Sequence, residues 1–312
     1  MISIIVVVIG LIVFISFVNH KIKLKDEDAL FKTNGKIVEI NGHHMNVYLS
    51  GNPNSDFTLV FMSGAGTCSP TLDFKTLYSL FEKDYQIAVV EKAGYGFSDI
   101  SDISRDIDTI LFETRESLNQ AGVTNHKYIL FPHSMSGIEA LYWANKYPDE
   151  IKGIIGLDLS VPAAYQNTKI NTFLLSAANF GANIGLTRFL PNLVNSSSAI
   201  KDGNLTEEEK ELYRVIFYRR TATTSMINEA KTIKANAKKL EQIDTTNVPM
   251  LFFISNGDGT GYSKEEWRSF GVGYLANKQN GKYQFLDCSH YVHNIAYQQI
   301  YEESIKFINQ LK

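Results

Sequence analysis

The residues best suited to covalent chemistry lie around Ser134, in the stretch YILFPHSMSG over residues 128–137. An apolar strand pattern precedes this serine and a helical pattern follows it, which predicts a tight strand–turn–helix connection with Ser134 at its tip. Such a turn presents the hydroxyl for attack, and the N-terminus of the helix favours a developing negative charge. Taking Ser136 as the nucleophile would place Ile138 where a small residue is needed.

The positions two before and two after Ser134 hold Pro132 and Ser136, where the usual Gly-x-Ser-x-Gly motif has glycines. These positions nearly touch in a tight turn. Ser136 is small enough to fit. Pro132 is bulkier, but it ends a strand, where the missing amide proton is tolerated.

A glycine-rich loop, SGAGT over residues 63–67, follows another apolar strand pattern. Loops of this kind present a backbone N–H to the oxyanion of a tetrahedral intermediate, and the residue after the nucleophile supplies a second N–H. We therefore expect the oxyanion hole to consist of the Ala65 and Met135 amides.

Alternating strand and helix patterns surround these motifs. Asn41-Gly42 is typical of a two-residue hairpin turn. Strand patterns cover residues 35–40, 44–49, 57–62, 86–91, 127–131, 152–157, 249–254 and 283–286, and helical patterns cover residues 72–81, 103–120, 135–146 and 291–310. The alternation predicts an α/β fold with a mostly parallel sheet and an antiparallel hairpin at its start.

Residues 160–246 interrupt this alternation, because they contain helical patterns and no convincing strand. Thr206 and Glu209 form a capping-box signature for one of these helices. An insertion of this length predicts a helical cap over the carboxyl edge of the sheet, where open α/β sheets bind ligands.

Taken together, these features resemble the α/β-hydrolase superfamily, in particular its capped serine hydrolases, which include many bacterial esterases. The resemblance covers about residues 35–312. In that superfamily the acid follows the strand after the cap, and the histidine precedes the last helix. The stretch SNGDG thus implies Asp258 as the orienting carboxylate, and CSHYVH resembles the Gly-His-x-x-His turn, which implies His290 as the general base.

Alternatives for the acid and the base stay open. Asp158 ends the sixth strand pattern, where some relatives carry the acid, and His293 is the second histidine of the C-terminal pair. Ser63 and Ser289 stand where the superfamily usually has His and Gly, which puts the detail of the oxyanion loop in doubt. Three other histidines are interpreted as solvent-facing, turn or supporting residues: His43, His44 and His133.

The N-terminal residues 2–18 form an uninterrupted uncharged run. As a helix this run spans roughly 25 Å, just short of the ~30 Å hydrocarbon core of a bilayer. A secretory signal peptide is the main alternative, but it needs basic residues before the run and small residues at a cleavage site. The sequence has neither, so we expect a single-pass membrane anchor at residues 1–20.

The linker at residues 21–34 mixes basic and acidic side chains. Three lysines follow the apolar run and none precedes it, and the positive-inside rule then puts the catalytic domain on the cytoplasmic face. These lysines are Lys21, Lys23 and Lys25.

The composition suits one large α/β domain: 312 residues, 44% hydrophobic and 20% charged. A net charge of −3 gives no basic surface for nucleic acid. Cys68 and Cys288 are interpreted as unpaired thiols, with a bridge left open because both lie in loops near the predicted site. The sequence has no phosphate-binding loop and no zinc-type spacing, so we expect no cofactor and no metal.

The sequence thus favours a membrane-anchored serine hydrolase that cleaves a carboxylic ester, amide or thioester, with a hydrophobic acyl substrate. The first alternative is a hydrolase-fold protein that binds a ligand or partner without turnover. A cofactor-free C–C bond hydrolase would use the same triad. Aspartate-nucleophile relatives such as dehalogenases and epoxide hydrolases are disfavoured by Ser134.

Overall fold

A computed structural model describes residues 2–312, with side chains from residue 4 onwards. The strands are β1 (Lys36–Ile40), β2 (His43–Gly51), β3 (Thr58–Met62), β4 (Gln86–Glu91), β5 (Tyr128–Pro132), β6 (Ile151–Leu157), β7 (Met250–Ile254) and β8 (Gly281–Phe285). The helices are α1 (Ile2–Asp26), α2 (Pro70–Asp73), α3 (Lys75–Tyr78), α4 (Ile107–Gln120), α5 (Ser136–Lys146), α6 (Thr172–Asn183), α7 (Pro191–Asn195), α8 (Ser198–Lys201), α9 (Glu207–Arg220), α10 (Thr224–Glu241), α11 (Lys264–Leu275), α12 (Val292–Ile295) and α13 (Tyr297–Asn309).

The eight strands form one sheet in the order β1-β2-β4-β3-β5-β6-β7-β8. β2 pairs antiparallel with β1 and with β4, and the other neighbouring pairs are parallel. Asn41 and Gly42 join β1 to β2 with positive φ angles of 53° and 79°, as a two-residue hairpin turn requires. The predicted α/β fold with a mostly parallel sheet is confirmed.

Apolar side chains alternate between the two faces of the central strands. On β3, Val60 and Met62 belong to the core that packs against α4, α5 and α10, whereas Leu59 and Phe61 belong to the core against α3 and α13. Both faces of the strand are therefore covered, which explains its continuous apolar sequence. All parallel strands end at one edge, where their loops meet.

The chain between β6 and β7 is helical and contains α6 to α10, together with two 3₁₀ turns, Pro162–Tyr165 and Leu186–Phe189. Thr206 and Glu209 make both hydrogen bonds of the capping box at the start of α9. α10 returns to the main domain through Glu229, which pairs with the buried Lys92. This helical insertion is called the cap below.

Helix α1 is long and apolar enough to cross a membrane, and no other helix in the described residues 2–312 is. Most of its side chains are exposed, but Ser16 and His20 are buried against the cap. The helix continues past the predicted anchor to Asp26, and a 3₁₀ turn, Glu27–Ala29, follows it.

Three helices differ from the sequence prediction. The single helix expected over residues 72–81 is two single turns, α2 and α3, and the helix expected over residues 291–310 is interrupted at Ala296. α4 begins at Ile107 rather than residue 103, because the Asp106 carboxylate caps it by accepting from the Asp108 and Thr109 amides. In addition, α11 lies in a stretch for which the sequence pattern predicts no helix.

Candidate active site

Ser134 lies at the tip of the turn between β5 and α5, half-buried, with a φ of 52°. A non-glycine residue in this left-handed region is strained, and such strain persists only where the surroundings enforce it. The predicted strand–turn–helix geometry is therefore present at this serine.

The neighbours of Ser134 explain how the turn closes. The Ser136 hydroxyl donates to the carbonyl oxygens of Met62, at 2.7 Å, and His133, at 2.9 Å. A Cβ atom on Gly137 would lie 2.3 Å from the Ser160 carbonyl oxygen, so only glycine fits there. The motif position usually held by glycine thus carries a serine that ties the helix start to β3.

The loop after β3 approaches the same turn. A Cβ atom on Gly64 would lie 2.6 Å from the Ser134 Cβ, so glycine is required for this approach. Neither the Ala65 amide nor the Met135 amide donates a hydrogen bond to any atom of the described residues. Two unused N–H groups beside a serine hydroxyl fit the donors of an oxyanion hole.

His290 lies in the loop after β8 and forms a short hydrogen bond with a carboxylate. Its Nδ1 lies 2.6 Å from Oδ2 of Asp158, which follows the last residue of β6. The Asp158 side chain is fully buried and the His290 side chain is 11% exposed. Since a carboxylate only accepts, Nδ1 is the donor of this hydrogen bond, which leaves Nε2 free of the carboxylate.

The other oxygen of Asp158 is also occupied. Oδ1 accepts from the Ser255 amide at 2.7 Å and from the Trp267 indole nitrogen at 2.8 Å. The Trp267 ring packs edge-on against the His290 ring, with centroids 5.7 Å apart. Three donors thus hold this buried carboxylate in place, and it fixes the imidazole in turn.

The structure pairs His290 with Asp158 rather than with Asp258, the carboxylate that the sequence predicts for this role. Asp258 is exposed, and its carboxylate accepts from the Asn256 side chain at 3.2 Å. It meets His290 only through the backbone, since its carbonyl accepts from the His290 amide at 2.9 Å. The flanking glycines, Gly257 and Gly259, have φ angles of 88° and 91°, which place Asp258 in a tight turn.

Ser134 and His290 line the same cavity, of about 540 Å³. No hydrogen bond joins the Ser134 hydroxyl to the imidazole in the described structure. Catalytic hydrogen bonds are often long without substrate and tighten in the complex. The two side chains therefore share one reaction space, with Nε2 as the imidazole nitrogen free of the carboxylate.

A second His–Asp pair lies behind this one. His293 Nε2 lies 2.8 Å from Oδ2 of Asp73, and both side chains are fully buried. The His133 ring lies between the two histidines, with centroids 4.6 Å from His290 and 4.7 Å from His293. His133 Nε2 donates to the His290 carbonyl at 3.1 Å. His293 is thus paired away from the cavity.

Comparison with known proteins adds the family. The family model described as serine aminopeptidase, S33, matches residues 53–270. The chain belongs to this family of α/β-hydrolases. Among curated relatives, it is 36% identical to the uncharacterized protein YbdG of Bacillus subtilis over 95% of this chain and 92% of that protein. A second B. subtilis protein, YqjL, is 26% identical over 77% of this chain and 79% of its own.

Solved structures show the same fold. Cfl2 from Burkholderia cenocepacia superposes with a TM-score of 0.68 over 88% of this chain and 95% of its own, at 13% identity. A loop variant of a haloalkane dehalogenase from Bradyrhizobium elkanii has a TM-score of 0.63 over 88% of this chain and 96% of its own, at 14% identity. The family match shows the predicted α/β-hydrolase superfamily, and these solved structures share its fold.

Both cysteines of the hydrolase are free. Burial raises the pKa of the Cys68 thiol to about 12 and that of Cys288 to about 11. No group of three or more His, Cys, Asp or Glu side chains in the described residues is arranged to hold a metal ion. Sequence reasoning missed Trp267, whose contact with Asp158 depends on the unexpected α11.

Proposed function

We propose that the hydrolase cleaves a carboxylic ester, or a related amide or thioester, through Ser134, His290 and Asp158. The observation that carries the proposal is the 2.6 Å contact between His290 and Asp158 at the cavity that also holds the strained Ser134. A fixed imidazole with a free Nε2 beside a serine hydroxyl is the arrangement that acyl transfer requires.

The chemistry follows from these contacts. The Ser134 oxygen attacks the carbonyl carbon while His290 Nε2 accepts the hydroxyl proton. Asp158 stabilises the resulting imidazolium, and the Ala65 and Met135 amides stabilise the oxyanion, each donor typically contributing about 3 kcal/mol. The tetrahedral intermediate expels the alcohol, which takes the proton from His290. Water, deprotonated by the same imidazole, then releases the acid and restores the serine.

The cavity lining supports an uncharged substrate. None of its fifteen residues is Asp, Glu, Lys or Arg. A free amino terminus would need a carboxylate partner in such a buried place, so the lining disfavours an aminopeptidase substrate. Hydroxyl and amide groups instead favour a neutral polar group beside the scissile bond: Ser160, Tyr165, Asn167, Thr168, Thr260 and Tyr262. The hydrophobic acyl part of the substrate stays a prediction from the sequence.

Helix α1 supports a retained membrane anchor rather than a cleaved signal sequence. The Ser16 hydroxyl donates to the Ile184 carbonyl at 2.6 Å, and Arg188 donates to the His20 ring at 2.9 Å. A segment removed during export has no need for specific contacts with the mature fold. The cytoplasmic placement of the catalytic domain still rests on the three lysines after the apolar run.

Labelling with a fluorophosphonate probe tests the nucleophile on the full chain in detergent. We expect labelling of the wild type and none of Ser134→Ala, because the probe phosphonylates an activated serine. Ser136→Ala is the matched control and should keep its label. Labelling that survives Ser134→Ala, or its loss only in Ser136→Ala, would contradict the assignment.

Hydrolysis of a panel of neutral esters then separates an enzyme from a binding protein. The second interpretation, ligand binding without turnover, draws on the missing hydrogen bond between Ser134 and His290. It predicts saturable ester binding with no acid released. Acid release that depends on Ser134 excludes it.

A further inference from the structure

The cap carries an exposed apolar surface that the proposed chemistry does not use. Seven large apolar side chains on α6, the following 3₁₀ turn and α7 are 40–80% exposed. We call them the cap apolar face: Phe173, Leu174, Phe180, Leu186, Phe189, Leu190 and Leu193.

Helix α6 is unusual for a helix in water. Its twelve residues include no charged side chain, and Ala182 is its only buried residue. Short helices are marginal alone and depend on packing of an apolar face. Here most of the apolar side chains face outward, so the sequence fits an environment that is itself apolar.

The cap apolar face adjoins helix α1. Gly185 approaches His20 so closely that a Cβ atom there would lie 2.4 Å from the His20 Cβ. Arg188 donates to the His20 ring at 2.9 Å, and Ser16 contacts Ile184. Ser16 lies inside the uncharged run of α1, roughly 4.5 Å along the helix before Asn19, which is the first residue after residues 2–18. If lipid surrounds α1 at this level, it would therefore reach the cap as well.

The dimensions of α6 favour an interfacial position. Twelve residues span roughly 18 Å, too short for the ~30 Å hydrocarbon core. Lysines adjoin both elements in the sequence, since Lys169 precedes α6 and Lys21 and Lys23 follow the apolar run of α1. An apolar helix face bordered by lysines is typical of segments that lie in the membrane surface.

The face also adjoins the substrate cavity. Tyr165, Asn167 and Thr168 line the cavity, and α6 begins at Thr172. A molecule held at the cap apolar face is therefore one short loop from the space in front of Ser134.

We propose that the cap apolar face docks on the lipid bilayer that holds α1, so that the hydrolase takes its ester from the membrane. The proposal rests on the proposed anchor, and its last part rests on the proposed ester hydrolysis. The bilayer is favoured over a second copy or another protein because the face is continuous with the apolar surface of α1.

Tryptophan probes test the docking without any need for activity. The full chain is reconstituted in vesicles of phosphatidylcholine and phosphatidylglycerol with bromine on the acyl carbons nearest the glycerol. Phe173→Trp and Phe189→Trp report on the face, and Phe14→Trp reports on insertion of α1. Phe112→Trp is the matched control, since Phe112 is 50% exposed on α4. Both native tryptophans, Trp143 and Trp267, are buried.

We expect brominated lipid to quench the added fluorescence of Phe173→Trp, Phe189→Trp and Phe14→Trp, and not that of Phe112→Trp. If brominated lipid quenches only Phe14→Trp, and iodide in water quenches the two probes on the face, the docking is overturned and the anchor stays intact. No quenching at any position overturns both. Face probes shielded from iodide and from brominated lipid show a protein partner or a second copy instead.

Ester hydrolysis tests the route of the substrate. The double variant Phe173→Ser, Phe189→Ser should lose rate on an ester dissolved in the bilayer and keep its rate on a water-soluble ester. Equal rates on both esters contradict the route. Absence of hydrolysis in the wild type refutes the proposed function and this route, while the quenching result still decides the docking.

Discussion

The histidines of the two His–Asp pairs, His290 and His293, lie three residues apart in the chain, but the two pairs differ in what surrounds them. His290–Asp158 borders the cavity, and every oxygen of its carboxylate has a partner. His293–Asp73 is wholly enclosed, and His293 Nδ1 and Asp73 Oδ1 have no partner among the described residues. The same chemical pair thus serves two purposes: access to the cavity makes one a candidate for catalysis, and enclosure makes the other part of the core.

Neutralising each carboxylate in turn should reveal the largest difference between the two pairs. Asp158→Asn should lower kcat on a soluble ester by on the order of 10⁴-fold, the loss known for the equivalent change in a serine protease triad, because the imidazole takes the wrong tautomer. Asp73→Asn should leave kcat within a few-fold and instead lower the free energy of unfolding by about 1–3 kcal/mol. Initial rates and urea unfolding of both variants measure these effects.

Asp258→Asn is the control for the acid, since its carboxylate is exposed and touches only Asn256. We expect unchanged kcat and unchanged stability. A kcat loss in Asp258→Asn comparable to that in Asp158→Asn would restore the acid expected from the sequence. Circular dichroism must show each variant folded for the comparison to count.

The two aspartates also show what the sequence could and could not specify. Both follow buried strands that end at the same sheet edge, so position along the chain leaves either one as the acid. The sequence Asn256-Gly257-Asp258-Gly259 is nevertheless typical of an exposed turn, whereas Asp158 directly follows an apolar strand. This turn pattern favours Asp158 as the acid, whereas the order of catalytic residues in the superfamily favours Asp258.

The strand–turn–helix connection at Ser134 is predictable from the sequence because its strand, turn and helix are local in the chain. Ser134, Ala65 and Met135 follow from such local patterns, and His290 follows from the order of catalytic residues in the superfamily. The contacts of Asp158 with Trp267 and of His133 with His290 join residues over 100 positions apart, which no local pattern encodes. Likewise, α2 and α3 divide at Phe74, whose ring is fully buried against Phe61 and His293. Tertiary packing there overrides the helical pattern.

A smaller effect is expected in the pH dependence of stability, and it concerns His133, which lies between the two pairs. Burial, with help from His290 and His293, holds the pKa of His133 well below its usual value. In the unfolded chain this histidine takes up a proton near pH 6.5, whereas in the folded chain it stays neutral at that pH. The free energy of unfolding should therefore fall as the pH drops below about 6.5. The slope from this one group is at most about 1.4 kcal/mol per pH unit.

The variant His133→Gln removes the titration and keeps a donor for the His290 carbonyl. Its stability in detergent, measured by urea unfolding across a pH series, should depend less on pH below about 6.5 than that of the wild type. Above about pH 7.5 the difference between the two proteins should be constant. Parallel curves over the whole range would show that His133 is not the responsible group.

The smallest expected effect concerns the two cysteines, one near each pair. Burial raises both thiol pKa values, with Asp73 adding to the effect at Cys68 and Asp158 at Cys288. Few thiolates form at neutral pH, so iodoacetamide should alkylate the half-buried Cys288 slowly and Cys68 only on unfolding. Mass spectrometry of the modified chain over time measures this order. Cys288 lies two residues before His290 in the loop after β8 and makes no hydrogen bond to the pair, so Cys288→Ser should keep full activity. Rapid alkylation of Cys68 in the folded chain would show that the enclosed pair opens.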